Sequence, residues 1–306
     1  MEIQNIVTNI EKSILGKTEQ INLILSAMLA GGHVLLEDAP GTGKTNLAKA
    51  LATSFSCQFS RVQFTPDMLP SELVGINFFN PKTSEFTFKQ GSLFANIILA
   101  DEINRATPRT QAGLLESMEE AQITVDGTTH KLPSPYFVIA TQNSIEAHGT
   151  FPLPEAQLDR FLIKLSLGYP SSKDSINIAK GLHTSQPLAP VCDVDTWFTL
   201  QKTSKETFIH DDVYAYIVEL SEATRTHEGV AVGASTRAII ALTNMAKAYC
   251  FVKGKTFVTP QDVQYLLPYV YGHRLILKGS GRTNATTSIL SEISSTVKVP
   301  TENFAK

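Results

Sequence analysis

Residues Gly41-Thr42-Gly43-Lys44-Thr45 have the types and the spacing of a phosphate-binding loop. They follow a short apolar stretch, Val34-Leu35-Leu36, and precede a helical pattern over residues 44–55. Glycines let successive N–H groups point at one anion, and the start of a helix favours negative charge. In such a loop Lys44 reaches the β- and γ-phosphates of a nucleotide, and the Thr45 hydroxyl binds Mg²⁺. The stretch therefore predicts a nucleoside triphosphate site.

The match to the full phosphate-loop pattern is incomplete at one position. Where G-x-x-x-x-G-K-[ST] begins with glycine, this chain has Asp38. A carboxylate there is close to bound phosphates, so either it points away or the affinity for nucleotide suffers. The alternative is a glycine-rich turn before an ordinary helix, but the preceding strand and the intact Gly-Lys-Thr favour the phosphate site.

A second chemical signal is the acid pair Asp101-Glu102 at the end of the apolar run Ile97 to Ala100. We expect Asp101 to hold Mg²⁺ through water together with Thr45. We expect Glu102 to orient and polarise the attacking water. The alternative, an acidic cap between strand and helix, is common for isolated acid pairs but less favoured beside a phosphate loop.

A further apolar stretch, residues 136–141, ends in polar side chains and leads to Asn143. Asn143 is placed to hydrogen-bond the attacking water or the γ-phosphate, although asparagine after a strand is often only a turn residue. In open α/β sheets ligands bind at the carboxyl ends of the strands, which is where all these candidates fall.

The elements that must position these residues alternate between strand and helix. This alternation predicts an α/β fold with a parallel sheet flanked by helices. From about residue 170 the pattern becomes helical, and Thr259 is a plausible N-cap of the last predicted helix. The predicted strands are 33–37, 58–64, 97–101, 136–141 and 161–166, and the predicted helices are 44–55, 107–120, 211–227, 235–252 and one from Thr259.

Two inserted elements interrupt the first half of the chain. Residues 76–91 alternate apolar and polar side chains, which indicates a hairpin or a short helix with a loop. Residues 122–132 contain an Asp126-Gly127 turn signal and predict a hairpin. Residues 280–288 have the composition of a loop.

Composition narrows the class of protein. The chain has 306 residues, is 42% hydrophobic and 18% charged, and carries a net charge of -3 with a pI of 6.2. No basic tract favours nucleic-acid binding. The three cysteines are far apart, the N-terminus lacks a secretory pattern, and the longest apolar stretch is too short for a bilayer. We therefore expect a cytoplasmic protein without membrane insertion.

Taken together, these segments resemble the AAA+ ATPases, and among them the MoxR family. The resemblance covers roughly residues 10 to 275, and its most family-specific stretch is GTFPLPEAQLDRF. It implies a nucleotide-binding core over residues 1–169, with inserted elements at about 70–91 and 121–133, followed by a small all-helical lid domain over residues 170–306. The other segments that carry it are LLEDAPGTGKT, ILADEINRATPRTQAGLLESMEE, FVIATQN and GASTRA.

The resemblance also assigns roles to residues. Lys44 and Thr45 match Walker A, Asp101 and Glu102 match Walker B, and Asn143 matches sensor 1, although Ser144 follows it where the family often has proline. Arg160 matches the arginine finger that completes the ATP site of a neighbouring subunit, and Arg237 matches sensor 2. The implied nucleotide-binding residues are Ile14, Leu15 and Gly16 around adenine, and Ala39, Pro40, Gly41, Thr42, Gly43, Lys44, Thr45 and Asn46 around the phosphates.

The implied function is that of a Mg²⁺- and ATP-dependent hydrolase. It would form a ring, six-membered by analogy, and act as a chaperone-like remodelling or maturation factor for a protein partner such as a von Willebrand A domain protein. Two alternatives are a nucleic-acid motor, which the acidic net charge disfavours, and a nucleotide-gated scaffold without hydrolysis, which Glu102 and Arg160 disfavour.

Overall fold

A computed structural model describes residues 2–38, 41–142, 149–181, 188–279, 285–301 and 304. It contains eleven strands and twelve α-helices within those ranges. The strands are β1 (Val34–Glu37), β2 (Phe59–Gln63), β3 (Gly75–Asn80), β4 (Glu85–Gln90), β5 (Ile97–Asp101), β6 (Gln122–Val125), β7 (Thr128–Lys131), β8 (Phe137–Gln142), β9 (Ile163–Leu165), β10 (Val230–Val232) and β11 (Ile276–Leu277).

The helices follow the predicted alternation in the first half of the chain and dominate the second. They are α1 (Glu2–Glu11), α2 (Thr18–Leu29), α3 (Lys44–Ser54), α4 (Pro70–Val74), α5 (Pro108–Glu120), α6 (Glu155–Leu158), α7 (Ser172–Ala179), α8 (Val194–Lys205), α9 (Asp211–Thr226), α10 (Thr236–Val252), α11 (Pro260–Tyr271) and α12 (Ala285–Thr296). A short 3₁₀ turn covers Ile103–Arg105.

The main sheet has five strands in the order β2-β5-β8-β1-β9. The pairs β2/β5, β5/β8 and β8/β1 are parallel, with Gln63 opposite Asp101 and Glu37 opposite Gln142. Every residue of β5 is buried, as expected for a strand covered on both faces. The strand β8 therefore lies between the strand before the phosphate loop and the strand that ends in the acid pair.

Both inserted elements are antiparallel hairpins, which confirms the prediction for the second and decides between the two alternatives for the first. The first pairs β3 with β4 and the second pairs β6 with β7. In the second, Asp126 and Gly127 both have positive φ, 50° and 79°. That backbone is the one that tight hairpin turns require.

The chain divides into two compact units. The first unit comprises residues 1–21, 33–153 and 166–197, and the second comprises residues 22–32, 154–165 and 198–306. The sequence led us to expect one break, after residue 169. Residues 166–197 instead cluster with the first unit, since the Val191 and Cys192 N–H groups both bond the Ser54 carbonyl.

In the second unit, helices α9, α10, α11 and α12 pack on one another. Thr259 caps α11 as predicted, because its hydroxyl accepts from the Asp262 N–H while the Asp262 carboxylate accepts from the Thr259 N–H. The unit is not entirely helical, since β10 pairs with β11. These two strands are too short to produce a recognisable alternation in the sequence.

The predicted loop over 280–288 was wrong from Ala285 onward, where α12 begins, and residues 280–284 lie outside the described part of the chain. Threonine and serine have modest helix propensity, but Leu290 and Ile293 bury one face of α12. Tertiary packing of that face outweighs the local preference.

Candidate functional site

The phosphate-binding loop connects β1 to α3 as the sequence predicts. Gly41 and Gly43 both have positive φ, 83° and 89°, and Gly43 is the N-cap of α3. Only glycine adopts this backbone without a steric penalty, which explains the two glycines. The free N–H groups at the start of α3 thus open toward the loop. Ala39 and Pro40 lie outside the described residues.

The ammonium group of Lys44 contacts the loop itself. Its Nζ lies 3.2 Å from the main-chain carbonyl oxygen of Asp38. A carbonyl is a weaker partner for an ammonium than a phosphate is, so this contact can be exchanged when an anion binds.

The acid pair lies at the carboxyl end of β5 and is tied to both neighbouring strands. The Thr141 hydroxyl, on β8, donates to Asp101 Oδ1 at 2.7 Å. On the other side Arg61, on β2, donates from Nη2 to Asp101 Oδ2 at 2.7 Å. Both carboxylate oxygens of Asp101 are therefore engaged, which fixes the orientation of the group.

Glu102 has a left-handed backbone, with φ 57° and ψ 50°. This conformation is unusual for a residue with a side chain and costs of order 1 kcal/mol. The Glu102 N–H donates to the Thr141 hydroxyl at 2.9 Å, which compensates part of that cost. Strain held in this way is typical of functional sites.

The carboxylate of Glu102 is paired. Its Oε2 accepts from Gln63 Nε2 at 2.8 Å and from Arg105 Nε at 2.9 Å. Both contacts are made to the same oxygen, and they hold the carboxylate beside the end of β2 and the 3₁₀ turn.

A pocket adjoins the phosphate loop within the first unit. Ile14 and Leu15, two of the three residues expected around adenine, line it, whereas the third, Gly16, is not among its lining residues. The methyl group of Ile14 lies where a side chain on Gly43 would be, 3.3 Å from a Cβ built at that position. The pocket is lined by Ser13, Ile14, Leu15, Lys17, Gly41, Thr42, Gly43, Asn46, Pro170 and Ile178.

Several residues of this site were missed by sequence reasoning. Arg61 and Gln63 alternate along β2, so they share a face, but only the strand order shows that this face adjoins the acid pair. Thr141 precedes the predicted Asn143 by two positions and was within the stretch already singled out. Ile178 lines the pocket from α7, and Pro170 lines it from two residues before that helix. No local pattern in the sequence indicates either contact.

The two predicted arginines lie in the second unit. Arg237 is exposed in the first turn of α10, and its Nη1 lies 3.8 Å from Asp159 Oδ2. Asp159 precedes Arg160 in the chain. Ser235 caps α10, accepting from the Ala238 N–H. A cation near a helix N-terminus is disfavoured by the dipole, and Asp159 supplies a compensating anion.

The turn that carries Arg160 is held by the buried guanidinium of Arg274. Arg274 Nε lies 2.6 Å from Asp159 Oδ1, and its Nη atoms donate to the carbonyls of Phe161 and Leu162 at 2.7 and 3.0 Å. The neighbouring His273 also bonds the Phe161 carbonyl, at 2.9 Å. The segment that follows α11 thus binds residues on both sides of Arg160.

The expectation for Asn143 receives no structural test. Asn143 lies outside the described residues. Within the ranges that the structure covers, no group of three or more His, Cys, Asp or Glu side chains could hold a metal ion by itself. Nor does any described helix combine the length and apolar character that a bilayer crossing requires.

Comparisons with known proteins agree with this architecture. The ATPase family associated with various cellular activities (AAA) matches residues 33–163, and the AAA lid domain matches residues 222–293. A crystal structure of a candidate ATPase from Cytophaga hutchinsonii superposes with a TM-score of 0.90 at 34% identity, over 98% of this chain and 95% of that chain.

Two curated relatives match almost the whole chain. The uncharacterized protein YeaC of Bacillus subtilis is 45% identical over 98% of this chain and 95% of its own length. Chaperone MoxR1 of Mycobacterium tuberculosis is 35% identical over 98% of this chain and 83% of its own length. With the glycine loop between β1 and α3 and the acid pair at the end of the buried strand β5, the chain belongs to the MoxR family of AAA+ ATPases.

Proposed function

We propose that this protein hydrolyses ATP with Mg²⁺ at the subunit interfaces of a ring, and uses the cycle to remodel or mature a partner protein in the cytoplasm. The observation that carries the proposal is the position of the acid pair. Asp101 and Glu102 are tied to β8 through Thr141, and β8 also pairs with the strand that leads into the phosphate loop.

In the proposed binding step, Lys44 exchanges the Asp38 carbonyl for the β- and γ-phosphates, and the N–H groups at the start of α3 receive the same charge. The base occupies the pocket beside Ile14 and Leu15. The Thr45 hydroxyl and the Asp101 carboxylate are oxygen donors of the kind that Mg²⁺ prefers. Bound Mg²⁺ would neutralise charge that develops on the phosphate oxygens.

In the proposed chemical step, Glu102 leaves Gln63 and Arg105 and accepts a hydrogen bond from the attacking water. Asn143 orients that water or the γ-phosphate. Arg160 of one subunit supplies a guanidinium to the nucleotide of its neighbour, and Arg237 contributes a second from the lid. The proposal gains support from the buried guanidinium of Arg274, which binds residues on both sides of Arg160.

The partner is proposed to be a protein, as the name of the relative chaperone MoxR1 suggests, and a von Willebrand A domain protein is the specific candidate. The test is a pull-down from the native cell extract with the Glu102→Gln variant in ATP. The matched control is Lys44→Ala, which lacks a phosphate ligand. We expect one protein client to be enriched with Glu102→Gln and not with the control. Recovery of nucleic acid, or equal recovery by both variants, would contradict the proposal.

A further inference from the structure

Asp38 stands at the first position of the phosphate-loop pattern, where glycine is usual, and its carboxylate is buried and fully engaged. Its Oδ1 accepts from the Ser166 hydroxyl at 2.7 Å and from the Gly168 N–H at 3.0 Å. Its Oδ2 accepts from the Leu167 N–H at 2.8 Å. The side chain therefore points to residues 166–168. Of the two possibilities left open by the sequence, the carboxylate takes the first and points away from the phosphate loop.

Residues 166–170, here called the strap, follow β9 and run to the nucleotide pocket. The strap ends in Pro170, which lines the pocket. At its far end the Tyr169 carbonyl accepts from the ammonium of Lys17 at 2.9 Å. Lys17 is itself buried and also lines the pocket, so the strap is held at both ends by groups of the binding site.

The same residue touches the phosphate side of the site. The main-chain carbonyl of Asp38 accepts from Lys44, while its side chain holds the strap. Asp38 thus connects Lys44, the proposed phosphate ligand, to the strap that leads to Pro170. Hydrogen bonds to an ionised group are stronger than neutral ones, which makes this carboxylate an effective tether.

We propose that Asp38 is a positioning residue for nucleotide, fixing the strap so that Pro170 closes the pocket against the base. The inference rests on the proposed function, because it takes the pocket to bind ATP. The tether and the charge of Asp38 predict opposite effects on ATP affinity when the carboxylate is removed. A carboxylate near a triphosphate repels it, so on charge alone its removal would tighten binding. As a tether, its removal weakens binding.

The test is the dissociation constant of ATP, measured by titration calorimetry with Mg²⁺, for wild type, Asp38→Asn and Ser166→Ala. The first variant keeps the shape of the side chain but removes the charge and turns an N–H₂ group toward a donor. The second removes one donor from the strap without altering the phosphate loop. We expect ATP to bind about tenfold more weakly to Asp38→Asn and a few-fold more weakly to Ser166→Ala.

The double variant Asp38→Asn/Ser166→Ala distinguishes loss of the Asp38–Ser166 contact from an unrelated structural effect. If both residues act through the same contact, the loss of affinity in Asp38→Asn/Ser166→Ala is smaller than the product of the two single losses. Unchanged or tighter ATP binding by Asp38→Asn would overturn the inference, as would a fall in melting temperature without a change in affinity. Failure of the wild type to bind ATP would instead contradict the proposed function.

Discussion

The hydroxyl of Thr141 donates a 2.7 Å hydrogen bond to Oδ1 of Asp101, joining β8 to the end of β5. The hydroxyl oxygen of Thr141 also accepts a hydrogen bond from the N–H of Glu102, at 2.9 Å. Thr141 is fully buried, so no solvent replaces either bond if the hydroxyl is lost. One side chain thereby orients the proposed metal ligand and supports the strained backbone of Glu102, the proposed catalytic carboxylate.

Thr141→Val should destabilise the protein, because it leaves the Asp101 carboxylate and the Glu102 N–H without this partner while keeping the side-chain volume. We expect a loss of about 1–3 kcal/mol in the free energy of unfolding, together with slower ATP turnover. Urea denaturation and steady-state hydrolysis are the measurements. Thr141→Ser retains the hydroxyl and is the control. A valine variant with the stability and turnover of the wild type would refute this role.

Glu102→Gln should bind ATP but not turn it over, because an amide cannot polarise water as a carboxylate does. We expect kcat to fall by at least about 10²-fold, with the dissociation constant of ATP nearly unchanged. Lys44→Ala should instead lose measurable ATP binding. Calorimetry and a phosphate-release assay check both. Residual turnover of Glu102→Gln near the wild-type level would exclude Glu102 as the group that activates water.

Arg160→Ala should retain ATP binding and lose turnover, by about 10³-fold or more, because a finger supplied in trans stabilises transition-state charge. The decisive measurement mixes two inactive variants. In a ring of Arg160→Ala and Glu102→Gln subunits, some interfaces combine Arg160 of one subunit with Glu102 of its neighbour. We therefore expect partial activity in the mixture. If mixtures stay as inactive as either variant alone while co-assembling, the finger does not act between subunits.

Arg274→Met should destabilise the second unit strongly, because it leaves Asp159 and the Phe161 and Leu162 carbonyls without their buried donor. Removing one partner of a buried ion pair typically costs about 3–5 kcal/mol. The free energy of unfolding reports the loss. Arg237→Met, which removes a longer and exposed contact to the same Asp159, is the matched control, with an expected loss below about 1 kcal/mol. Equal losses would contradict the assignment of Arg274 as the main clamp.

His33 should make stability depend on pH. Burial lowers the pKa of its imidazole to about 4, against the unfolded value of 6.5. The neutral ring accepts from the Val138 N–H and donates to the Met118 carbonyl. Since the unfolded chain binds the extra proton between pH 6.5 and 4, stability is complete above that window and is lost as the pH falls through it. The difference amounts to about 3 kcal/mol.

The measurement is the free energy of unfolding in urea at pH 7 and pH 4.5, for wild type and His33→Gln. Burial also lowers the pKa of His273, so that residue contributes in the same direction. The glutamine variant keeps polar atoms but does not titrate, and should show a smaller pH dependence than the wild type. An identical pH dependence would show that His33 does not titrate on unfolding.

The sequence by itself determined the features that depend on neighbouring residues. Strand, glycines and helix around Gly41 and Gly43 could be identified because backbone conformation is a local property. The buried strand ending at Asp101, the Asp126-Gly127 turn and the cap at Thr259 were predicted for the same reason. Each is a pattern of a few consecutive residues with its own steric or hydrogen-bonding cause.

The tertiary structure alone decided which of these features meet. Only the strand order brings Gln63 to Glu102 and Thr141 to Asp101, because side chains on different strands become neighbours through pairing that local periodicity does not encode. The same holds for Asp38. The loop pattern predicts that its carboxylate lies close to the phosphates, but in the fold it binds the strap, 128 to 130 residues further along the chain. Contacts over such separations depend on how the whole unit packs, and for that reason no local pattern in the sequence indicates them.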